Sequence, residues 1–122
     1  MNFGWLTSES SLEDVRSVVL HEFGHALGLI HEHQNPRQAI RWNEAAVIRD
    51  LSGPPNNWDP TKIRQNVLDR YDPAKVSATE VDAESIMMYP IPASWTQGGY
   101  FSAGLNTDLS ARDRTFIREC YP

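Results

Sequence analysis

His21-Glu22-Phe23-Gly24-His25-Ala26-Leu27-Gly28-Leu29-Ile30-His31-Glu32 is the stretch on which both fold and chemistry turn. Two histidines four residues apart on a helix lie about 40° apart around its axis, so His21 and His25 point their rings to one side. Glu22 stands beside the first, where a carboxylate can reach a water on the same metal. H-E-x-x-H is the pattern of a helical zinc site with a built-in general base. His31 is too far along an unbroken helix to converge with the other two. Gly28 resolves this, because glycine takes φ > 0 without penalty, so the helix can stop there and the chain can double back under the metal.

Working outward, Leu12 to about Leu27 reads as the helix that carries the first two histidines, with Ser10 and Glu13 as its capping box. Leu12, Val15, Val19, Phe23, Ala26, Leu27 and Ile30 gather on the side away from His21 and His25. The helix is therefore expected to bury that back and turn its histidines to a cleft. Phe3, Trp5 and Leu6 suit a short strand over Asn2 to Leu6.

Downstream, His33-Gln34-Asn35-Pro36 is a turn. His33 reads as a neighbour that supports this loop, since three protein ligands plus water make a catalytic zinc site and four make a closed one. Asn43 caps a helix from Glu44 to Leu51, and Asp59-Pro60 opens another from Thr61 to about Tyr71, striped by Ile63, Val67 and Leu68. Val76 to Val81 reads as a short extended segment. Ser110 with Asp113 caps a last helix that runs to about Cys120.

The chain has 122 residues, the size of one domain with a modest core. Its net charge of −5 argues against nucleic-acid binding, because little here would replace counterions along a phosphate backbone. No apolar run approaches membrane-spanning length. One cysteine, Cys120, excludes a disulfide within the chain and reads as a half-buried hydrophobe. The opening residues carry no signal-peptide pattern.

The full H-E-x-x-H-x-x-G-x-x-H pattern resembles the metzincins, a clan of zinc endopeptidases also marked by a later Met-turn. Ser85-Ile86-Met87-Met88-Tyr89 resembles that turn, with Met87 as the methionine beneath the metal and Tyr89 two residues later. In astacins and serralysins a tyrosine at that place contacts the zinc. A register on Met88 would resemble the Met-Tyr-Pro of matrixins, whose link from third histidine to turn is much shorter. Glu32, directly after His31, points to astacins, as do Asp82, Ser85, Ile86 and Tyr89. Leu29, the His33-Gln34-Asn35-Pro36 continuation and the absent astacin disulfide cysteines depart from the animal pattern and suggest a microbial astacin-like branch.

The resemblance implies an α+β fold, mostly helical as given, with residues 1–122 as a single, partial metzincin catalytic domain. The upper-subdomain sheet that pairs with substrate in the clan is largely missing. It implies one zinc ion on His21, His25, His31 and Tyr89, with Glu22 and Tyr89 catalytic and Gly28, Glu32 and Met87 structural around them. The implied activity is endopeptidase cleavage of a protein or peptide, secreted or extracellular, without nucleic-acid or membrane partners. An inactive zinc-binding fragment or module is the second reading. A non-proteolytic interaction protein with a vestigial motif is the third, and the intact Glu22 speaks against it. A lone N-terminal strand would have unpaired edges, so apolar surface uncovered near the N-terminus is expected, with either self-association through Met1 to Leu6 or marginal stability without zinc.

Overall fold

Helices dominate the computed structural model, which describes residues 3–4, 6–37, 40–78 and 80–122. They are α1 (Leu12–Ala26), α2 (Glu44–Ser52), α3 (Pro60–Ile63), which runs on as a π-helical turn over Arg64–Leu68, and α4 (Ala111–Cys120). Extended pairing among the described residues is confined to two antiparallel bridges, Trp42 with Thr96 and Ile91 with Ala103. The mostly helical architecture agrees with expectation. No helix among the described residues is long and apolar enough to cross a membrane.

The chain forms two compact units. The first comprises Met1–Glu32, Asp82–Pro90 and Leu105–Pro122. Here α1 is capped by Ser11, whose Oγ accepts the Asp14 N–H at 3.1 Å, and Glu13 and Asp14 complement the helix dipole. The cap falls one residue later than expected because the Ser10 hydroxyl is engaged behind it, accepting the Thr7 N–H at 2.9 Å.

The expected strand over Asn2 to Leu6 is not formed by its described residues. The Leu6 N–H donates to the Phe3 carbonyl at 3.0 Å, which closes the chain into a turn and withdraws that donor from any ladder. Asn2 and Trp5 lie outside the described residues. The described part thus offers no strand for self-association.

The expected burial of α1 is also reversed. Ser17, Val18 and Gly24 are its buried residues, and they lie on the histidine side. Leu12 on the opposite side is 82% exposed and Phe23 52%. The reason is packing: within this unit the segment Ile86–Met87 meets α1 on the histidine side, so the apolar back is left to solvent. Apolar surface expected to be uncovered near the N-terminus is present at Phe3, 38% exposed, and Leu12.

The remaining parts of this unit hold the turn that faces α1. Ser85 N–H donates to Asp82 O and Met88 N–H to Ser85 O, both at 3.1 Å, folding 82–88 into successive turns. Asn106 Nδ2 donates to the Ala83 and Ser85 carbonyls, each at 2.9 Å. α4 begins on the capping box read from Ser110 and Asp113: the Asp113 N–H donates to Ser110 Oγ at 3.1 Å and the Ser110 N–H to Asp113 Oδ2 at 2.9 Å.

The second unit comprises His33–Val81 and Ile91–Gly104. Its core is Val47, Ile63, Val67 and Ile91, all essentially inaccessible, with Ile40, Leu51, Leu68 and Trp95 around them. Each such side chain contributes roughly 1.5–3 kcal/mol by burial. Asn43 and Asp59 cap α2 and α3 as expected, accepting from the Ala46 and Lys62 N–H groups. The helix expected to reach Tyr71 ends at Leu68. Two buried side chains end it by taking carbonyls of its last turns: Gln34 Nε2 donates to Gln65 O and Asp69 O at 2.7 and 2.8 Å, and His33 Nε2 lies 2.7 Å from Asn66 O. His33 therefore braces its own unit. The extended segment expected over Val76 to Val81 is bend and coil where described, and Thr79 lies outside the described residues.

Candidate metal centre

All residues of the centre belong to the first unit. His21 and His25 sit one turn apart on α1, their ring centroids 4.8 Å apart. α1 then ends in a Schellman motif. Gly28 takes φ +90°, its N–H donates to His25 O at 2.9 Å, and the Leu29 N–H reaches back to Gly24 O at 2.9 Å. This reversal returns the chain so that the His31 ring comes within 4.8 Å of His25 and 5.3 Å of His21. The stop read from Gly28 is the one that forms.

One ligand atom from each histidine lies within 4.8 Å of the other two, and the three together could hold a metal ion. Two rings are oriented from behind. His21 Nδ1 lies 2.8 Å from Ile86 O and His25 Nδ1 3.0 Å from Leu29 O. A carbonyl only accepts, so each Nδ1 carries the proton and each Nε2 presents a lone pair, the tautomer a metal ligand needs. His25 Nε2 and His31 Nε2 are 3.2 Å apart. Two ligands of a tetrahedral ion with bonds of about 2.0–2.1 Å would stand about 3.3–3.4 Å apart. The donor set fits zinc.

Electrostatics favour the same state. Burial, the largest influence, pushes the His21 imidazole below its ordinary pKa, and the charge on neighbouring His25 adds to this, while the Ile86 carbonyl and Glu22 oppose it. A lowered pKa keeps the ring neutral and available to a cation.

Tyr89 joins the group, its ring 4.6 Å from His31 and 5.9 Å from His21. Glu22 is half-buried on α1 directly after His21. Glu32 fastens the loop that carries His31: its N–H donates to Met87 O at 3.0 Å and its Oε1 accepts the Asp82 N–H at 3.1 Å. These bonds give it a structural place.

Met87 is 1% exposed and lies against α1 at Gly24. A Cβ on Gly24 would stand 2.5 Å from Met87 Sδ, closer than such atoms come. Gly24 is legible only as a glycine inside a helical pattern, which costs about 1 kcal/mol and is itself a signal of close packing. Gly24→Ala is expected to lower the melting temperature, because overpacking of about 1–3 kcal/mol outweighs the gain in helix propensity. A variant that melts at or above wild type would show that Met87 yields freely.

No protein-family model and no curated protein matches the chain. Two solved structures of myroilysin do. One is 41% identical across 100% of this chain and 59% of its own, with a TM-score of 0.92. The other is 40% identical across 100% of this chain and 53% of its own, with a TM-score of 0.58. The chain is thus similar in sequence and fold to part of myroilysin, and it spans little more than half of that protein's length.

Proposed function

We propose that the chain carries the catalytic centre of a zinc-dependent endopeptidase of astacin-like type, with zinc on His21, His25 and His31. The observation that carries this reading is the convergence of three imidazoles, two of them oriented by carbonyls, with two Nε2 atoms 3.2 Å apart. Likeness to myroilysin, 41% identical over the whole of this chain, supports it.

Zinc held by these three histidines would supply a Lewis acid that makes water a nucleophile near neutral pH. Glu22 takes the proton from the water as its oxygen joins the peptide carbonyl carbon, then delivers it to the amine as the C–N bond breaks. Tyr89, beside His31 and a candidate further ligand, would donate a hydrogen bond from its hydroxyl to the oxyanion as charge develops there, keeping its proton. Gly28 and Glu32 position His31, and Met87 packs against α1 at Gly24, between His21 and His25 in the chain. The substrates of this reading are proteins or peptides, and its setting is extracellular.

A second reading has a specific observation behind it. No strand ladder is present among the described residues, whereas extended peptides are commonly bound by adding a strand to a sheet edge. On that reading these 122 residues bind zinc without cleaving substrate.

One experiment tests both. Metal analysis of the purified chain is expected to give one zinc per chain, removed by chelator and restored by zinc alone. Hydrolysis of a casein substrate by the zinc-loaded chain favours the first reading and its absence the second. A chain that binds no zinc overturns both.

A further inference from the structure

Behind His21 runs a hydrogen-bonded chain longer than a single carbonyl. His21 Nδ1–H donates to Ile86 O at 2.8 Å. The same peptide group presents its other end, the Met87 N–H, to Ser85 Oγ at 3.0 Å. Ser85 Oγ–H in turn donates to Asp113 Oδ1 at 2.7 Å. Asp113 Oδ2 accepts the Ile86 N–H at 2.8 Å, and with it the α4 cap N–H of Ser110. Ser85 is 1% exposed, Met87 1% and Asp113 6%, so solvent screens little of this path. Every donor along it points toward the carboxylate.

We infer that Asp113 is a positioning residue for the metal centre, acting through Ser85 and the Ile86–Met87 peptide to orient His21 and raise the basicity of its Nε2. The inference rests on the zinc reading above. A carboxylate that accepts the proton of a ligating histidine directly is a familiar way to fix its tautomer and strengthen its bond to metal. Here a serine hydroxyl and a peptide group stand between the two. Aligned bonds in a buried chain polarise one another, so negative charge on Asp113 makes Ile86 O a stronger acceptor than an isolated carbonyl. As an α4 cap, Asp113 would need only the Ser110 N–H. Its other two bonds, to Ser85 and Ile86, go to the turn facing His21.

The test separates charge from scaffolding. Asp113→Asn keeps the shape and an acceptor but removes the charge. Asn106→Ala loosens the same turn, through the Ala83 and Ser85 carbonyls, but removes none of the hydrogen bonds that join Asp113 to His21. Zinc affinity is measured by competition with a chromophoric chelator, with far-UV circular dichroism reporting folding. Asp113→Asn is expected to weaken zinc about threefold to tenfold, below the 10–100-fold typical of a direct partner. Asn106→Ala should weaken it less at a similar loss of thermal stability. In the zinc-loaded protein the His21 Nδ1–H proton resonance should move upfield in Asp113→Asn and stay in place in Asn106→Ala. Equal loss of zinc affinity in the two variants with that resonance unmoved would overturn the inference. If Asp113→Asn does not fold, Ser85→Ala breaks the chain one link nearer His21 and is read the same way. Wild-type chain that binds no zinc would instead remove the zinc reading beneath it.

Discussion

His25→Ala is expected to release the metal outright. The variant keeps His21 and His31 but loses the ring that links them: His25 lies 4.8 Å from each by ring centroid, and its Nε2 stands 3.2 Å from His31 Nε2. Two remaining imidazoles hold zinc far more weakly than three. The fold should suffer less. His25 is half-buried, and the Schellman bonds that end α1 use backbone groups of Gly24 and His25 that alanine retains. Metal content by atomic emission after gel filtration should therefore fall from one zinc per chain to a small fraction, while far-UV circular dichroism stays close to that of the metal-free wild type. Unchanged zinc content in the variant would refute the ligand assignment.

Glu22→Gln has the second large effect, and on a different quantity. Glutamine preserves size and helix propensity at a half-buried site, so zinc content and melting temperature should stay near wild type. An amide cannot accept the water's proton, and loss of a general base typically costs about 10²–10⁴ in rate. Any zinc-loaded form of the protein that cleaves peptides should lose that activity in the variant. Tyr89→Phe provides the graded comparison. Its ring stays against His31 and only the hydroxyl is lost, so turnover should fall more than substrate affinity, and by less than with Glu22→Gln. Near-wild-type cleavage by Glu22→Gln would exclude the general-base role, whatever the zinc content.

The convergence of His21, His25 and His31 was legible in the sequence because its logic is local. The four-residue spacing of His21 and His25 fixes their common direction, and Gly28 fixes where the helix must stop, since only the left-handed conformation at φ +90° closes the Schellman bonds. The caps at Asn43, Asp59 and Ser110 were legible for the same reason: each is a side chain that bonds the backbone N–H three residues ahead. Only tertiary structure decided which side of α1 is buried. Periodicity marks an apolar side but cannot say whether anything covers it, and here the covered side is the one that carries the histidines. The end of the third helix was likewise settled by Gln34 and His33, distant in sequence, which capture its carbonyls. Gly24 and Asp113 complete the pattern. One makes room for Met87 and the other reaches His21 through Ser85, and both roles depend on a segment some sixty residues from α1 in sequence coming to rest against it.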